Sequence, residues 1–357
     1  MISARGVTRA MVAAVVCVSM VSAASAAVVI ETVPVGNTGN TGEWSGESYG
    51  APWGWGPDRI CGAVGYGYNI GKYEVAAGQY TAFLNAVAVT DTYGLYNTSM
   101  WSNDAGCKIE RTDTGSGYSY GVAADWANRP VNYVSLWDAC RFANWLHNGQ
   151  PTGAQGAGTT ERGAYTLDGY NGNDGRTIQR NTDWKWAVTS EDEWYKAAYH
   201  KNDGDTGNYF DYPTGSDSVP SKDLVNPDPG NNANFYQDGN TIGSPYWRTE
   251  VGEFENSESP YNTFDQGGNV WEWNEAVVYE GIGWSYRGLR GGAVGYGGGA
   301  LHASNRNYFR PTWEDYYFGF RVSEVPEPAT MGLLALGGLG MLVRRRRKYS
   351  AHKPQLG

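Results

Sequence analysis

The stretch Gly267-Gly-Asn-Val-Trp-Glu-Trp273 brings together two glycines, one anionic side chain and two tryptophans. Glycine permits backbone turns in which a Cβ atom would clash. A glutamate between two tryptophans needs hydrogen-bond donors or a cation if it is buried. Two interpretations follow from these residues. One is a packed turn whose glutamate contacts a backbone amide or an arginine, and the other is a turn that holds a metal ion at the centre of the fold.

The first 27 residues have the pattern of a secretory signal peptide. Arg5 and Arg9 precede an apolar run over residues 10–21, and small residues follow at positions 22–27. A basic start, a short apolar core and small residues before a cleavage point are typical of an export signal that is removed. We therefore predict a signal peptide over residues 1–27.

The C-terminal region combines three features in order: Pro326-Glu-Pro328, an apolar run over residues 329–343 and a basic cluster over residues 344–348. An apolar segment followed by basic residues is held in a membrane with its charges on the cytoplasmic side. This region resembles the PEP-CTERM sorting signal of Gram-negative bacteria. The resemblance implies a sorting tail over residues 325–348, followed by a short tail over residues 349–357.

The same resemblance implies the PEP-CTERM sorting machinery as a partner and transient membrane anchoring by the C-terminal helix. The expected destination is the cell surface, the outer membrane or the extracellular matrix. Whether the tail is cleaved stays open.

The predicted mature chain is strongly acidic. The 357 residues carry a net charge of −10, but eight of the 27 basic residues and only two of the 37 acidic residues lie outside residues 28–323. That span is therefore near −16. Such a charge opposes binding to nucleic acid and to anionic lipid, and it is compatible with cation binding.

Cysteine is scarce in the predicted mature chain, where only Cys61, Cys107 and Cys140 remain after removal of the signal peptide. In an oxidising compartment one pair could form a disulfide and leave one thiol free. The sequence does not decide which pair forms, or whether any does. These cysteines do not have the spacing of a Cys/His metal site.

Local patterns predict three helices in a loop-rich chain. Apolar residues at helical spacing predict a helix over residues 77–87. Ser135 is the expected N-cap of a helix over residues 136–146, and Ser190 with Glu193 forms the capping box of a third helix. Strands are predicted near residues 28–33, 63–70, 118–122 and 317–322. The 15 tryptophans and 26 tyrosines indicate that aromatic rings supply much of the core.

Six blocks together carry a family resemblance, and they span almost the whole predicted mature chain. They read GKYEV with GQYTAFLNAV over residues 71–87, RPVNYVSLWDACRFANWL over 129–146, WAVTSEDEWYKAAY over 186–199, GGNVWEW over 267–273, LRGGAV over 289–294 and GFRV over 319–322. In this order they resemble the formylglycine-generating enzyme, or sulfatase-modifying factor, superfamily. The resemblance implies an α+β fold: an irregular, loop-rich variant of the C-type lectin fold with a few short helices and small antiparallel sheets. One such domain is expected over residues 28–324.

The catalytic chemistry of this family does not carry over residue by residue. The family enzyme oxidises a substrate cysteine with copper and oxygen, and it uses a cysteine pair in the segment after LRGGAV. In this chain that segment, residues 295–304, contains no cysteine. Copper(I) requires soft thiolate ligands, so we expect no copper and assign no catalytic residue. The alternative is a protein-modifying oxidase that forms formylglycine on sulfatases.

The calcium positions of the family transfer better. The resemblance implies one site at the GGNVWEW turn, with Gly267, Gly268, Val270 and Glu272 as ligands. It implies a second site upstream, with Asn234 and Phe235. Oxygen ligands suit calcium, and a site made mainly of neutral carbonyls is expected to bind with a Kd on the order of 10⁻⁴–10⁻³ M.

A ligand-binding face is expected near residues 290–305, where the family enzyme holds its substrate. Tyr296, His302, Asn305 and Arg306 are its candidate residues. An envelope polysaccharide or a peptide is the expected ligand of a binding or structural module. Two alternatives stay open: these residues form ordinary exposed loops, or the domain only decorates the extracellular matrix.

Overall fold

The computed structural model describes residues 27–46 and 59–326. The predicted signal peptide and sorting tail lie almost entirely outside these residues. Within the described ranges, no helix is both long and apolar enough to cross a membrane.

The elements are short and joined by long loops, which confirms the predicted α+β architecture with few helices and small sheets. The helices are α1 (Ala77–Val87), α2 (Ser99–Ser102), α3 (Leu136–His147) and α4 (Glu191–Tyr199), with a 3₁₀ turn at Gly298–Leu301. The strands are β1 (Thr32–Val35), β2 (Glu43–Ser45), β3 (Arg59–Cys61), β4 (Tyr68–Gly71), β5 (Ile109–Asp113), β6 (Tyr118–Val122), β7 (Trp186–Val188), β8 (Trp271–Gly281), β9 (Trp284–Arg290), β10 (Asn307–Phe309), β11 (Phe318–Gly319) and β12 (Val322–Glu324).

Two four-stranded sheets form the framework, in the orders β1-β4-β12-β7 and β10-β9-β8-β11. The pairs β2-β3 and β5-β6 form two smaller sheets. All strand pairs are antiparallel except β8 and β11, which run parallel. The β11–β12 segment therefore crosses from one large sheet to the other, and the predicted single strand over residues 317–322 is two strands.

The three predicted helices are confirmed, and their caps explain where two of them begin. The Ser135 hydroxyl accepts from the Asp138 amide at 3.2 Å, and the Asp138 carboxylate accepts from the Ser135 amide at 2.8 Å. Ser190 and Glu193 make the same reciprocal bonds at 3.1 and 2.8 Å. Each capping box satisfies amides that would otherwise lack partners at a helix start.

The first two predicted strands begin later in the chain than predicted, as β1 and β4. Residues 28–31 are not in a strand, because the Gln150 side-chain amide hydrogen-bonds both the amide and the carbonyl of Val28, at 2.7 and 2.8 Å. Residues 63–67 form a loop, because the Val64 carbonyl accepts from the Gly39 amide and its own amide donates to the Asn40 side chain. The predicted strand over residues 118–122 is confirmed as β6.

Aromatic rings fill the main core, as predicted. Phe142 of α3 stacks on Tyr80 of α1 with centroids 6.1 Å apart, and it packs edge-on against Phe83 and Phe320 at 5.3 and 5.4 Å. Phe320 lies in the crossover between the large sheets. Helices α1 to α3 and both large sheets thereby contribute to one hydrophobic cluster.

Candidate functional site

The GGNVWEW turn lies directly against the chain segment that contains Asn234. Gly268 has φ +92°, and a Cβ atom there would lie 2.1 Å from the Asn234 carbonyl oxygen. The Asn269 amide donates to that carbonyl at 2.9 Å. The structure thus brings the two predicted calcium regions together, and the glycine is required by the close approach of the two backbones.

The Glu272 side chain is buried and pairs with an arginine. Arg321 donates from Nε to Oε2 at 2.6 Å and from Nη2 to Oε1 at 2.7 Å. Trp194 Nε1 also donates to Oε2, at 2.8 Å. Both carboxylate oxygens therefore have strong donors, which is the arginine contact that the sequence left open for this glutamate.

Asn234 offers a different environment for a cation. Its Nδ2 donates to the Trp247 carbonyl at 3.0 Å and to Asn269 Oδ1 at 2.8 Å, whereas its Oδ1 is buried and has no hydrogen-bond partner among the described residues. A buried oxygen without a donor is costly, and a cation would satisfy it. Asn234 therefore fits a calcium ion better than Glu272 does.

The other predicted calcium residues are buried around this turn. The Phe235 carbonyl accepts from the Thr241 hydroxyl at 3.3 Å. Gly267 lies against Pro213 and Leu301, and Val270 packs on Gly319. In the part of the chain that the structure describes, no group of three or more His, Cys, Asp or Glu residues could hold a metal. A cation here would need neutral oxygens in addition to at most two such side chains of the described residues.

An open cleft of about 610 Å³ lies beside residues 294–295, directly after the LRGGAV block. We call it the aromatic cleft. Four aromatic side chains and three polar ones contribute most of its wall. Its lining residues are Asn103, Asp104, Ala105, Tyr236, Asn240, Trp247, Val294, Gly295, Tyr316 and Tyr317.

The rings of this cleft support one another. Tyr317 packs against Tyr316 with centroids 3.8 Å apart and against Tyr296 at 5.0 Å. Tyr236 is 46% exposed, so its ring is available at the rim. Burial raises the pKa of Tyr296 and of Tyr317, so both phenols are protonated and can donate hydrogen bonds at neutral pH. Aromatic faces beside amide and carboxylate groups suit the apolar faces and hydroxyls of a sugar ring.

The predicted ligand-binding residues are not on one surface. Tyr296 adjoins the aromatic cleft through Tyr317. His302 is half-buried elsewhere, with Nδ1 2.9 Å from the Ser304 hydroxyl. Asn305 and Arg306 are buried, at 3% and 0% exposure. Of the four residues, the structure places only Tyr296 beside the cleft.

Arg306 belongs to a buried charge cluster centred on Glu191. Arg306 Nε and Arg290 Nη2 lie 2.5 and 2.7 Å from Glu191 Oε1. Burial alone would raise the pKa of Glu191, but Arg290, Arg306 and Arg59 lower it to about 2. The cluster fixes the end of β9 to the start of α4 and leaves this carboxylate ionised.

The three described cysteines are separate, buried thiols with no disulfide. Burial and the charge of Glu191 raise the pKa of Cys61 to about 11. Burial also raises the pKa of Cys107 and of Cys140. A thiol rather than a thiolate is present at each position near neutral pH, and the thiolate is the reactive and metal-binding form.

The sequence did not reveal the residues that form the aromatic cleft. Tyr236, Trp247, Tyr316 and Tyr317 come from two loops about 70 positions apart, and none belongs to the six blocks. The richness in aromatic residues was the only signal. It could not show which rings are exposed together, because that depends on how the loops fold over the sheets.

Comparison with known families identifies two segments. Residues 58–325 match the model of the sulfatase-modifying factor enzyme 1-like domain, and residues 324–348 match the PEP-CTERM protein-sorting motif. No curated protein matches the chain.

Solved structures with a similar chain path include CarF, PvdO from Pseudomonas aeruginosa and variable protein 1 of Treponema denticola. CarF is 18% identical with a TM-score of 0.45, over 84% of this chain and 99% of its own. PvdO is 20% identical with a TM-score of 0.46, over 83% and 94%. The Treponema denticola protein is 16% identical with a TM-score of 0.43, over 83% and 95%.

Proposed function

Because the chain belongs to the sulfatase-modifying factor enzyme 1-like family and ends in a PEP-CTERM sorting motif, we propose that it is a non-catalytic saccharide-binding module of the cell envelope. The motif marks the protein for export and sorting to the surface of a Gram-negative cell. In our proposal residues 28–324 form the mature domain, residues 1–27 are removed, and the apolar run over 329–343 anchors the chain transiently during sorting.

The aromatic cleft is the observation that carries the binding proposal. It presents Tyr236 at the rim and Tyr316 and Tyr317 in the wall, next to the polar groups of Asn103 and Asn240. Its volume of about 610 Å³ is in the range of small-molecule sites. It lies where the chain leaves the LRGGAV block, the region expected to meet a ligand.

Two observations support a role without oxidase chemistry. Residues 295–304 contain no cysteine. The described cysteines are buried thiols whose pKa values are raised, so they are poor ligands for copper. The oxidase alternative predicts conversion of a cysteine-containing sulfatase peptide by residues 28–324 with copper and oxygen. Such conversion would overturn the non-catalytic proposal.

The binding proposal is tested with a glycan array followed by titration of the best glycan into residues 28–324. Tyr236→Ala removes an exposed ring from the rim and should weaken binding by roughly tenfold, as expected for one aromatic contact. Trp313→Ala is the matched control, because Trp313 is an exposed ring that does not line this cleft. Absence of any saturable glycan, or equal affinity in both variants, would contradict the proposal. Saturable binding of peptides alone would replace saccharide with peptide as the ligand class.

We also propose one structural calcium ion held by Asn234 Oδ1 and neighbouring backbone carbonyls. The Glu272 carboxylate already accepts hydrogen bonds from Arg321 and Trp194, so it would contribute little negative charge to binding the ion. At about tenfold excess over its Kd, calcium should add roughly 1.4 kcal/mol to the free energy of unfolding. Thermal unfolding with calcium, with magnesium and with EDTA tests this. An unchanged melting temperature in all three, or an equal calcium response in Asn234→Ala, would rule out the site.

A further inference from the structure

A second cleft, of about 440 Å³, lies between α3, the loop over residues 175–180 and the β8-β9 hairpin. We call it the arginine cleft. It is lined by Arg59, Leu136, Trp137, Cys140, Tyr165, Arg176, Ile178, Gln179, Arg180, Glu275, Ala276, Val277 and Arg287. Four of these residues are arginines and one is a glutamate, which is unusual in so acidic a protein.

Three of the four arginines already have carboxylate partners. Arg180 Nη1 lies 2.7 Å from Glu193 Oε1, and Arg180 Nε lies 2.9 Å from Glu275 Oε1. Arg176 pairs with Asp174 at 3.3 Å. Arg59 pairs with Glu191 at 3.2 Å. Arg180 therefore has two carboxylate partners, whereas Arg59 shares Glu191 with Arg290 and Arg306.

Arg287 differs from these three. It is 3% exposed, and its Nη atoms donate only to backbone carbonyls: Glu275 at 2.8 Å, and Gly175 and Ile178 at 2.5 and 3.2 Å. Its Nε has no partner, and it forms no ion pair with a carboxylate of the described residues. The Glu275 carboxylate pairs with Arg180 and compensates Arg287 only in part, so an anion would stabilise this buried guanidinium.

The rest of the cleft limits the kind of anion. Arg287 forms no ion pair of its own with a described carboxylate, and Glu275, which pairs with Arg180, already offsets part of its charge, so the site favours at most one further negative charge. Ile178 and Val277 add half-buried apolar surface, and Gln179 adds an exposed amide. The strong negative charge of the domain repels polyanions at a distance. These features favour a small organic anion over a nucleic acid or a highly charged polymer.

We infer that the arginine cleft is a second binding site, which takes the oxyanion group of a small, singly charged organic anion such as a uronate or a sugar sulfate, with Arg287 as the charge that meets it and Arg176 also lining the cleft. The unpartnered Nε–H of Arg287 can donate a charge-assisted hydrogen bond to an oxyanion. Both a uronate carboxylate and a sugar sulfate have this chemistry. The inference does not depend on the aromatic cleft, because the two clefts share no lining residue.

The test measures binding of glucuronate, glucose 6-sulfate and glucose to residues 28–324 by calorimetry or NMR at constant ionic strength. We expect saturable binding of at least one of the two anions and at least tenfold weaker binding of neutral glucose. Whichever anion binds more tightly identifies the oxyanion. The absence of saturable binding by either one, or equal affinity for glucose, would overturn the inference.

Matched variants locate the site. Arg287→Gln should weaken anion binding at least tenfold, and Arg176→Gln by about threefold. Arg176 is partly exposed, so Arg176→Gln should fold normally even if Arg287→Gln does not. Arg162→Gln is the control, because it removes an exposed arginine elsewhere.

Unchanged affinity in Arg176→Gln and in a folded Arg287→Gln would place any binding outside this cleft. Tyr236→Ala should leave glucuronate binding unchanged, which separates this site from the aromatic cleft.

Discussion

Arg321 and Glu272 form a buried ion pair between the two large sheets, with two hydrogen bonds of 2.6 and 2.7 Å. Glu272 lies on β8, and Arg321 lies in the crossover between β11 and β12. Arg321 Nη1 also donates to the Gly71 carbonyl at the end of β4, at 3.0 Å. One side chain therefore connects the GGNVWEW block, the GFRV block and the GKYEV block.

Loss of one partner of this pair should be strongly destabilising. Arg321→Met leaves the Glu272 carboxylate buried without its counter-charge, which costs about 3–5 kcal/mol of unfolding free energy. Urea unfolding followed by tryptophan fluorescence measures the change. Arg162→Met is the control, because its ion pair with Asp168 is exposed, and it should have no measurable effect. A small change in Arg321→Met would mean that water reaches Glu272.

The close approach at Gly268 gives a second prediction. In Gly268→Ala the alanine must adopt a left-handed backbone angle, and its Cβ atom would lie 2.1 Å from the Asn234 carbonyl oxygen. The strain and the clash should lower the unfolding free energy by more than about 2 kcal/mol. Gly65→Ala is the matched control, because nothing lies within 4 Å of a Cβ atom there. Equal stability of the two variants would contradict the observed contact between the turn and Asn234.

The sequence was most informative where the determinants are local. The α3 and α4 starts were predicted because each capping box lies within four consecutive residues. The first strand was displaced because Gln150, more than 100 positions away, occupies the backbone of Val28. Contacts of that kind have no local pattern.

The same distinction applies to the sites. The family resemblance predicted calcium ligands at Asn234 and at the GGNVWEW turn, and the structure places these two segments in contact. The pattern left an arginine partner open for Glu272 but could not identify it as Arg321, and it did not show that Arg306 is buried beside Glu191. Those partners are set by how distant segments pack.

A third prediction concerns pH. Burial, together with the nearby Asp138 carboxylate, raises the pKa of Glu314 from 4.5 to about 8. The folded protein then holds a proton that the unfolded chain releases, so this contribution to stability is complete below pH 4.5 and is lost as the pH rises toward 8. Glu314→Gln should remove that loss, worth roughly 3–5 kcal/mol between these limits.

Urea unfolding at several pH values between 4.5 and 8.5 measures this effect, with Glu110→Gln as a control at an exposed glutamate. The wild type should lose more stability across this range than Glu314→Gln does. Parallel pH profiles for the wild type and Glu314→Gln would show that Glu314 ionises normally in the folded protein.

A fourth prediction concerns Arg248, which is fully buried. None of its three guanidinium nitrogens has a hydrogen-bond partner among the described residues, and burial lowers its pKa to about 10. Arg248→Met keeps most of the side-chain volume and removes an uncompensated buried charge, so we expect the unfolding free energy to rise by about 1–3 kcal/mol. Arg290→Met is the opposite control, because it breaks the ion pair with the buried Glu191 and should destabilise the protein. Destabilisation by Arg248→Met would show that an anion or water pairs with this guanidinium in solution, because only a compensated charge contributes stability at a position so completely removed from solvent.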